Sequence, residues 1–221
     1  RLRYRLGRRE KRRRQGGRLD VRRVIHQSIP TGGLPIRLAF RKRREQPLKL
    51  VLLLDASGSM SLYSTFFLRF ISALLGQVSR TEAFVFHTRL VQVSATLRDR
   101  NRARALARMA LISQGWLGGT RIGECLESFN RQQAKQVLTR RTAVLIVSDG
   151  YDTGSPQQLA AEMARIGKRA KKIIWLNPMI GWRDYRPTAV GMAAALPHID
   201  LFAPAHNLAS LAALEPYLAK L

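Results

Sequence analysis

Three oxygen-bearing side chains alternate directly after an apolar run. Residues 50–54 are all Leu or Val, and Asp55, Ser57 and Ser59 follow within one short stretch. The run predicts a buried strand and a helical pattern comes next, so the three side chains belong to one tight loop and can converge on one point. Small, hard oxygen ligands suit Mg²⁺ or Mn²⁺. The alternative is a plain turn in which Ser57 or Ser59 caps the next helix.

Two later segments offer oxygen atoms in similar surroundings. Thr120 follows two glycines in a predicted loop, and Asp149 ends a second apolar run at residues 143–147. In open α/β sheets, ligands bind at the carboxyl ends of strands, where the strand order switches. Together the segments favour a metal site over a plain turn.

The elements that must position these residues alternate along the chain. Strands are expected at 48–54, 82–87, 90–97, 142–148, 171–176 and 199–202, and helices at 61–79, 102–113, 120–138, 157–169, 188–196 and 207–219. This alternation predicts a doubly wound, Rossmann-like α/β fold with a mostly parallel sheet. Only residues 87–89 separate the second and third strands, so the third is expected to be antiparallel and at the edge.

The first 47 residues are expected to form a basic extension before a domain at 48–221. Residues 1–48 contain 17 Lys/Arg and only 3 Asp/Glu. By itself the Arg-rich segment 1–18 should be disordered or bound to something. Further along, 19–25 could be a short helix or strand, and 36–40 alternates like a strand.

The net charge of +25 implies an acidic partner, which could be protein, nucleic acid or phospholipid. A basic solvated tail is the alternative reading. No apolar run reaches the roughly 18 residues of a membrane span, and no secretory signal is visible. Because the chain opens with Arg1 rather than methionine, a fragment or processed form is expected. Cys125 is the only cysteine, which predicts a packed helix residue and a reducing compartment.

Together, the motif Asp55-x-Ser57-x-Ser59, the distal Thr120 and the distal Asp149 resemble the metal-ion-dependent adhesion site of von Willebrand factor type A domains. Further stretches resemble the CoxE-like branch of that family over about residues 19–215. They are 19–23, 32–33, 84–90, 118–123, 148–152, 175–178 and 204–207.

The resemblance implies a role for each of these five residues. Ser57 and Ser59 would bind the metal directly, and Thr120 directly or through water. Asp55 and Asp149 would act largely through water and orient the hydroxyls. The ion would then keep an open position for a carboxylate from an acidic partner protein.

The resemblance also implies what the protein does. It implies a cytoplasmic, non-enzymatic adaptor that works with a MoxR-class AAA+ ATPase. The pair would act in maturation of a metalloenzyme, as in carbon monoxide dehydrogenase assembly.

Two other functions remain open from the residues themselves. The Arg-rich N-terminal segment could bind nucleic-acid phosphates, although it lacks interleaved aromatic residues. The same metal site could serve a hydrolase, although no general base of clear identity lies near it. Asp152 is expected to form hydrogen bonds or face solvent. The four histidines lack zinc-site spacing, and no phosphate-binding G-x-x-x-x-G-K-[ST] loop is present.

Overall fold

The computed structural model describes residues 4–13, 15–35, 37–47, 49–60, 67, 70–71, 78, 80–99, 104, 107–108, 119–180, 186–214 and 216–217. The chain divides into two compact units, Tyr4–Pro47 and Leu48–Leu221. The smaller unit carries 15 Lys/Arg and 3 Asp/Glu.

A three-stranded antiparallel sheet and one helix make up the smaller unit. The strands are β1 (Tyr4–Arg13), β2 (Arg18–Leu19) and β3 (Phe40–Pro47), in the order β1-β3-β2. Helix α1 (Val21–Ser28) begins after Asp20, whose carboxylate accepts a hydrogen bond from the Arg23 amide at 3.4 Å. A 3₁₀ turn, Ile29–Thr31, follows the helix.

Two expectations for this unit were wrong and one ambiguity is resolved. Residues 4–13 of the Arg-rich segment form a strand, because the chain supplies its own partner in β3. The strand expected at 36–40 begins only at Phe40, and Leu38 is exposed, so the alternation has no core face to bury. The segment at 19–25 is mainly helical.

The larger unit is built on a six-stranded sheet in the order β6-β5-β4-β7-β8-β9. Its strands are β4 (Lys49–Asp55), β5 (Arg80–Phe86), β6 (Leu90–Gln92), β7 (Thr142–Val147), β8 (Lys172–Asn177) and β9 (Leu201–Pro204). Neighbouring strands are parallel except β5 and β6. The predicted mostly parallel sheet with one antiparallel edge strand is therefore confirmed.

Helices lie between and beyond these strands. They are α2 (Ser94–Leu97), α3 (Ile122–Gln132), α4 (Ala134–Val137), α5 (Pro156–Arg169), α6 (Val190–Ala195) and α7 (Leu208–Ala212), with 3₁₀ turns at Gly58–Met60 and Leu196–His198. Helix α5 starts with a proline, whose missing amide hydrogen is not needed in a first turn. Among the described residues, no helix has the length and apolar content needed to cross a membrane.

The central strand β4 is buried on both faces, as parallel strands covered by helices are. Leu52 packs in one apolar cluster with Phe67 and Ile71. Leu53 packs in the opposite cluster with residues of α3 and α5. Cys125 of α3 lies in this second cluster, as predicted, and burial raises the pKa of its thiol to about 12.

Two predicted elements of the larger unit have different bounds. The third strand stops at Gln92 instead of continuing to 97, because the Ser94 side chain accepts from the Ala83 amide at 2.9 Å and donates to Glu82 at 2.6 Å. The long helix expected at 120–138 is two helices, α3 and α4, interrupted at Gln133. The helices expected at 61–79 and 102–113, and the loop after Gln114, lie largely outside the described residues.

Candidate metal centre

The sheet brings two loops to one edge. Strands β4 and β7 are parallel neighbours, and Leu54 pairs with Val147 in their register. Asp55 therefore ends β4 where Ser148 and Asp149 follow β7. This edge is the carboxyl end of the strands, where ligands bind in open α/β sheets.

The loop after β4 is ordered by its own side chains. The Ser57 amide donates to Asp55 Oδ1 at 2.9 Å, and the 3₁₀ turn Gly58–Met60 follows. This turn places Ser57 Oγ and Ser59 Oγ 3.0 Å apart. Asp55 is 2% exposed, whereas Ser59 is exposed. The loop thus presents two adjacent hydroxyls beside a buried carboxylate.

The loop after β7 contacts Asp55 directly. Ser148 Oγ donates to Asp55 Oδ2 at 2.6 Å and accepts from the Gly150 amide at 3.0 Å. In the same loop, Asp149 Oδ1 accepts from the Tyr151 amide at 3.1 Å. Asp149 Oδ2 is buried and has no hydrogen-bond partner among the residues that the structure describes. One carboxylate oxygen therefore remains available to a ligand.

Gly150 is required by the path of this second loop. Its φ of +84° is a conformation that side chains with a Cβ rarely adopt. A Cβ at this position would lie 2.8 Å from Met192 Sδ in α6. The backbone after Asp149 is further held by Asn177, whose side-chain amide donates to the Asp149 carbonyl at 2.9 Å.

Thr120 reaches the same edge through backbone contacts. Its carbonyl accepts from the amide of Thr153 at 2.9 Å and from the Thr153 hydroxyl at 3.0 Å. The next residue, Arg121, donates its amide to the carbonyl of His87, directly after β5. A Cβ on Gly119 would lie 2.2 Å from Thr153 Cγ2, so this approach requires glycine. Thr120 itself is buried.

Asp152 supports the site without belonging to the predicted metal ligands. Its Oδ1 accepts from the amides of Ile122 at 2.9 Å and Gly154 at 3.0 Å. The expected hydrogen-bonding role is therefore observed. This contact satisfies the first amide of α3, directly after the loop that carries Thr120.

The electrostatics of the edge favour a cation. The pKa of the Asp55 carboxyl is raised to about 7, chiefly by burial and also by the charge of Asp149, against the opposing hydrogen bond from Ser148. A nearby cation would offset both the loss of hydration and the repulsion. The donor set is made of oxygen atoms, which fits Mg²⁺ or Mn²⁺. No cluster of three or more His, Cys, Asp or Glu that could hold a metal ion occurs in the described part of the chain.

Four of the five predicted ligands are linked by hydrogen bonds within the protein. Asp55, Ser57 and Ser59 form one chain of contacts, and Ser148 connects Asp55 to the loop of Asp149. Thr120 joins this edge through its backbone. Sequence reasoning missed the positioning role of Ser148, for which the only signal was its place beside Asp149.

A family model described as "VWA domain containing CoxE-like protein" matches residues 1–211. The chain belongs to this family. No curated protein matches the chain.

Solved structures similar to this CoxE-like chain share its von Willebrand factor type A fold. A von Willebrand factor type A protein from Catenulispora acidiphila is 17% identical with a TM-score of 0.57, covering 82% of this chain and 44% of that one. The pilus adhesin SpaC from Lactobacillus rhamnosus GG is 14% identical with a TM-score of 0.54, covering 81% and 30%. An aerotolerance-related membrane protein from Bacteroides fragilis is 16% identical with a TM-score of 0.50, covering 79% and 100%. The chain thus spans less than half the length of the first two.

Proposed function

We propose that this CoxE-like protein is a metal-dependent adaptor that binds another protein and catalyses no reaction itself. Asp55, Ser57, Ser59, Thr120 and Asp149 would hold one Mg²⁺ or Mn²⁺ ion. When bound, the ion supplies a positive centre that can accept a carboxylate oxygen from an acidic partner.

The single observation that carries this proposal is the unpartnered oxygen of Asp149. A buried carboxylate oxygen without a donor is costly, because it has lost water and gained nothing in return. Asp149 Oδ2 is in this state beside a second buried carboxylate, Asp55, and two adjacent hydroxyls. A cation bound between these oxygen atoms would remove this cost.

In this proposal, some residues would bind the metal ion and others hold the metal-binding residues in position. Ser57 and Ser59 offer neutral oxygen atoms, so the bound ion would keep more of its charge for an incoming carboxylate. Ser148 holds Asp55 in place by its hydrogen bond of 2.6 Å. The Thr153 contacts hold the backbone of Thr120 to the loop after β7.

Family membership supports the choice of partners. We propose that the chain acts in the cytoplasm with a MoxR-class AAA+ ATPase, on an acidic client metalloenzyme that is being matured, as in carbon monoxide dehydrogenase assembly. The net charge of +25 favours association with such an acidic client.

Direct titration with Mn²⁺, followed by the electron paramagnetic resonance of the free ion, tests the metal site. Asp149→Asn should weaken Mn²⁺ binding about 10- to 100-fold or more, because an amide supplies less charge to the ion. Asp200→Asn is the control with the same charge change, since Asp200 accepts from the Ile173 amide near the start of β8, at the opposite edge of the sheet. Equal binding by all three proteins would overturn the proposal.

Partners are identified by co-purification with Mg²⁺ or EDTA, for wild type and Asp55→Ala, read by mass spectrometry. An AAA+ ATPase and a metalloenzyme should appear only with the intact site and with metal. If the same proteins appear in every sample, their binding is independent of the metal.

The excess of Lys/Arg in the smaller unit favours a second candidate, nucleic-acid binding. Its signature would be affinity for nucleic acid that falls steeply with salt and does not respond to Asp55→Ala. Loss of that affinity in the Asp55 variant would count against it.

A further inference from the structure

The smaller unit contains an open pocket of about 330 Å³ that the proposed metal-dependent function does not use. Three arginines line it: Arg12 from β1, Arg23 from α1, and Arg37 from the segment before β3. Gln27 lies one helical turn after Arg23 on the same side of α1 and also lines the pocket. Leu38 and Phe40 provide an apolar wall.

Backbone contacts hold these segments together. The amide of Asp20, at the start of α1, donates to the Ala39 carbonyl at 2.8 Å. Leu19 pairs with Phe40 in the sheet, and Arg13 pairs with Phe40 on the other side. The three arginines therefore converge because of the fold, although they are 11 and 14 residues apart in sequence.

The pocket concentrates positive charge without a matching acid. No Asp or Glu lines it among the described residues, and within them none of the three arginines forms an ion pair with a carboxylate. Asp20 accepts the amide hydrogen of Arg23 as a helix cap. Three arginines that line one concave surface bring like charges together, so an anion that occupies the pocket would offset their repulsion.

We propose that this pocket binds a phosphate monoester. Such a group carries nearly two negative charges and three terminal oxygens, which suits three guanidinium forks better than the single charge of a carboxylate. Gln27 adds an amide donor, and Leu38 and Phe40 contact the organic part of the ester. The volume lies at the lower end of the range for small-ligand sites, about 300–1,000 Å³.

Isothermal titration of the full chain with phenyl phosphate tests the proposal. The titration is done in EDTA, so that no divalent ion is available to bind phosphate at the metal centre. Arg23→Gln and Arg37→Gln should each weaken binding at least about 10-fold, because each removes a charge-assisted hydrogen bond. Arg22→Gln is the matched control: Arg22 directly precedes Arg23 in α1, is exposed and lies outside the pocket, and the substitution makes the same change in net charge.

The Arg22→Gln control distinguishes binding at a specific site from the general attraction of a basic protein for anions. Equal weakening by Arg22→Gln and Arg23→Gln would overturn the proposal, as would benzoate binding as tightly as phenyl phosphate. Gln27→Met keeps the net charge and should still weaken binding, by a few-fold; unchanged binding would exclude Gln27. Circular dichroism and thermal melting check that each variant is folded.

Two further probes distinguish the classes of molecule that could carry the phosphate monoester. Adenosine monophosphate represents a nucleotide, and O-phosphoserine represents a phosphorylated protein side chain. Tighter binding of one of them, sensitive to Arg23→Gln but not to Arg22→Gln, assigns the ligand class. Failure of every phosphate probe would overturn the proposal and leave the metal-dependent adaptor function untouched, because that function rests on residues of the other unit.

Discussion

The loops after β4 and β7 each place a buried aspartate at the same edge of the sheet. The two aspartates, Asp55 and Asp149, differ in their hydrogen bonds. Asp55 has a hydrogen bond on each carboxylate oxygen, from the Ser57 amide and from Ser148 Oγ. Asp149 has one on Oδ1, and its Oδ2 has no partner in the described part of the chain. The first acid therefore organises the site, whereas the second keeps an oxygen for a ligand. Six substitutions in these two loops, studied in the metal-free protein, test this difference.

Asp55→Asn should have the largest effect on stability, and its sign depends on pH. The folded-state pKa of about 7 lies above the ordinary 3.8, so this group stabilises the fold at low pH, and that contribution is lost as pH rises through 7. An amide has no such titration. Its oxygen can accept from the Ser57 amide, and its NH2 can donate to Ser148 Oγ, which reverses the direction of that hydrogen bond. From pH 5 to pH 8, the variant should gain at most about 3 kcal/mol relative to wild type.

Urea unfolding of both proteins in EDTA measures this difference. Other titrating groups cancel because they are common to the two proteins. If the two free energies of unfolding change in parallel with pH, the buried carboxylate does not titrate as described.

Ser148→Ala should lower the free energy of unfolding by about 2 kcal/mol. The substitution removes the donor to Asp55 and the acceptor of the Gly150 amide, and both groups are buried. Ser59→Ala is the control, because that exposed hydroxyl contacts only Ser57 Oγ among the described residues. Similar losses in urea unfolding for the two variants would mean that Ser148 does not link the loops.

The glycines of the two loops should respond differently to alanine. Gly150→Ala should cost about 1–2 kcal/mol, because its φ is positive and a Cβ would approach Met192. Gly58→Ala should stay within about 0.5 kcal/mol, since a Cβ there meets no atom of the described residues within 4 Å. Thermal melting of the pair checks this. Equal losses would show that the loop after β4 is as constrained as the loop after β7.

Asp149→Asn should be the least destabilising change, and the metal-free variant should be at least as stable as wild type, because the substitution also removes the repulsion between Asp149 and Asp55. Its Oδ1 still accepts from Tyr151, and Oδ2 had no partner to lose. The same variant should lose Mn²⁺ binding, as proposed above. Marked destabilisation in denaturant would show that the free oxygen has a structural role instead.

Much of the fold and the position of the site could be predicted from local patterns. Apolar runs ending in Asp55 and Asp149 mark parallel strands, and their polar ends must meet at one edge of the sheet. The contact between Ser148 and Asp55 could not be predicted, because it depends on the register of two strands that are distant in sequence.

Nonlocal pairing also explains the wrong expectations. Residues 4–13 have a composition typical of disorder, and their strand exists only because β3 pairs with them. The third strand of the larger unit ends early because Ser94 bonds to the neighbouring strand β5. In each case a partner elsewhere in the chain decides the backbone conformation.

The bond between Ser148 and Asp55 has a consequence for synthesis of the protein, because it joins residues 93 positions apart. A ribosome adds about 5–20 residues per second, so the Asp55 loop waits roughly 5–20 seconds for β7 to be made. Until then the nascent chain has an unfinished edge and lacks Asp149. A partner of the kind proposed above would therefore find this edge complete only late in synthesis, after β7 has paired with β4.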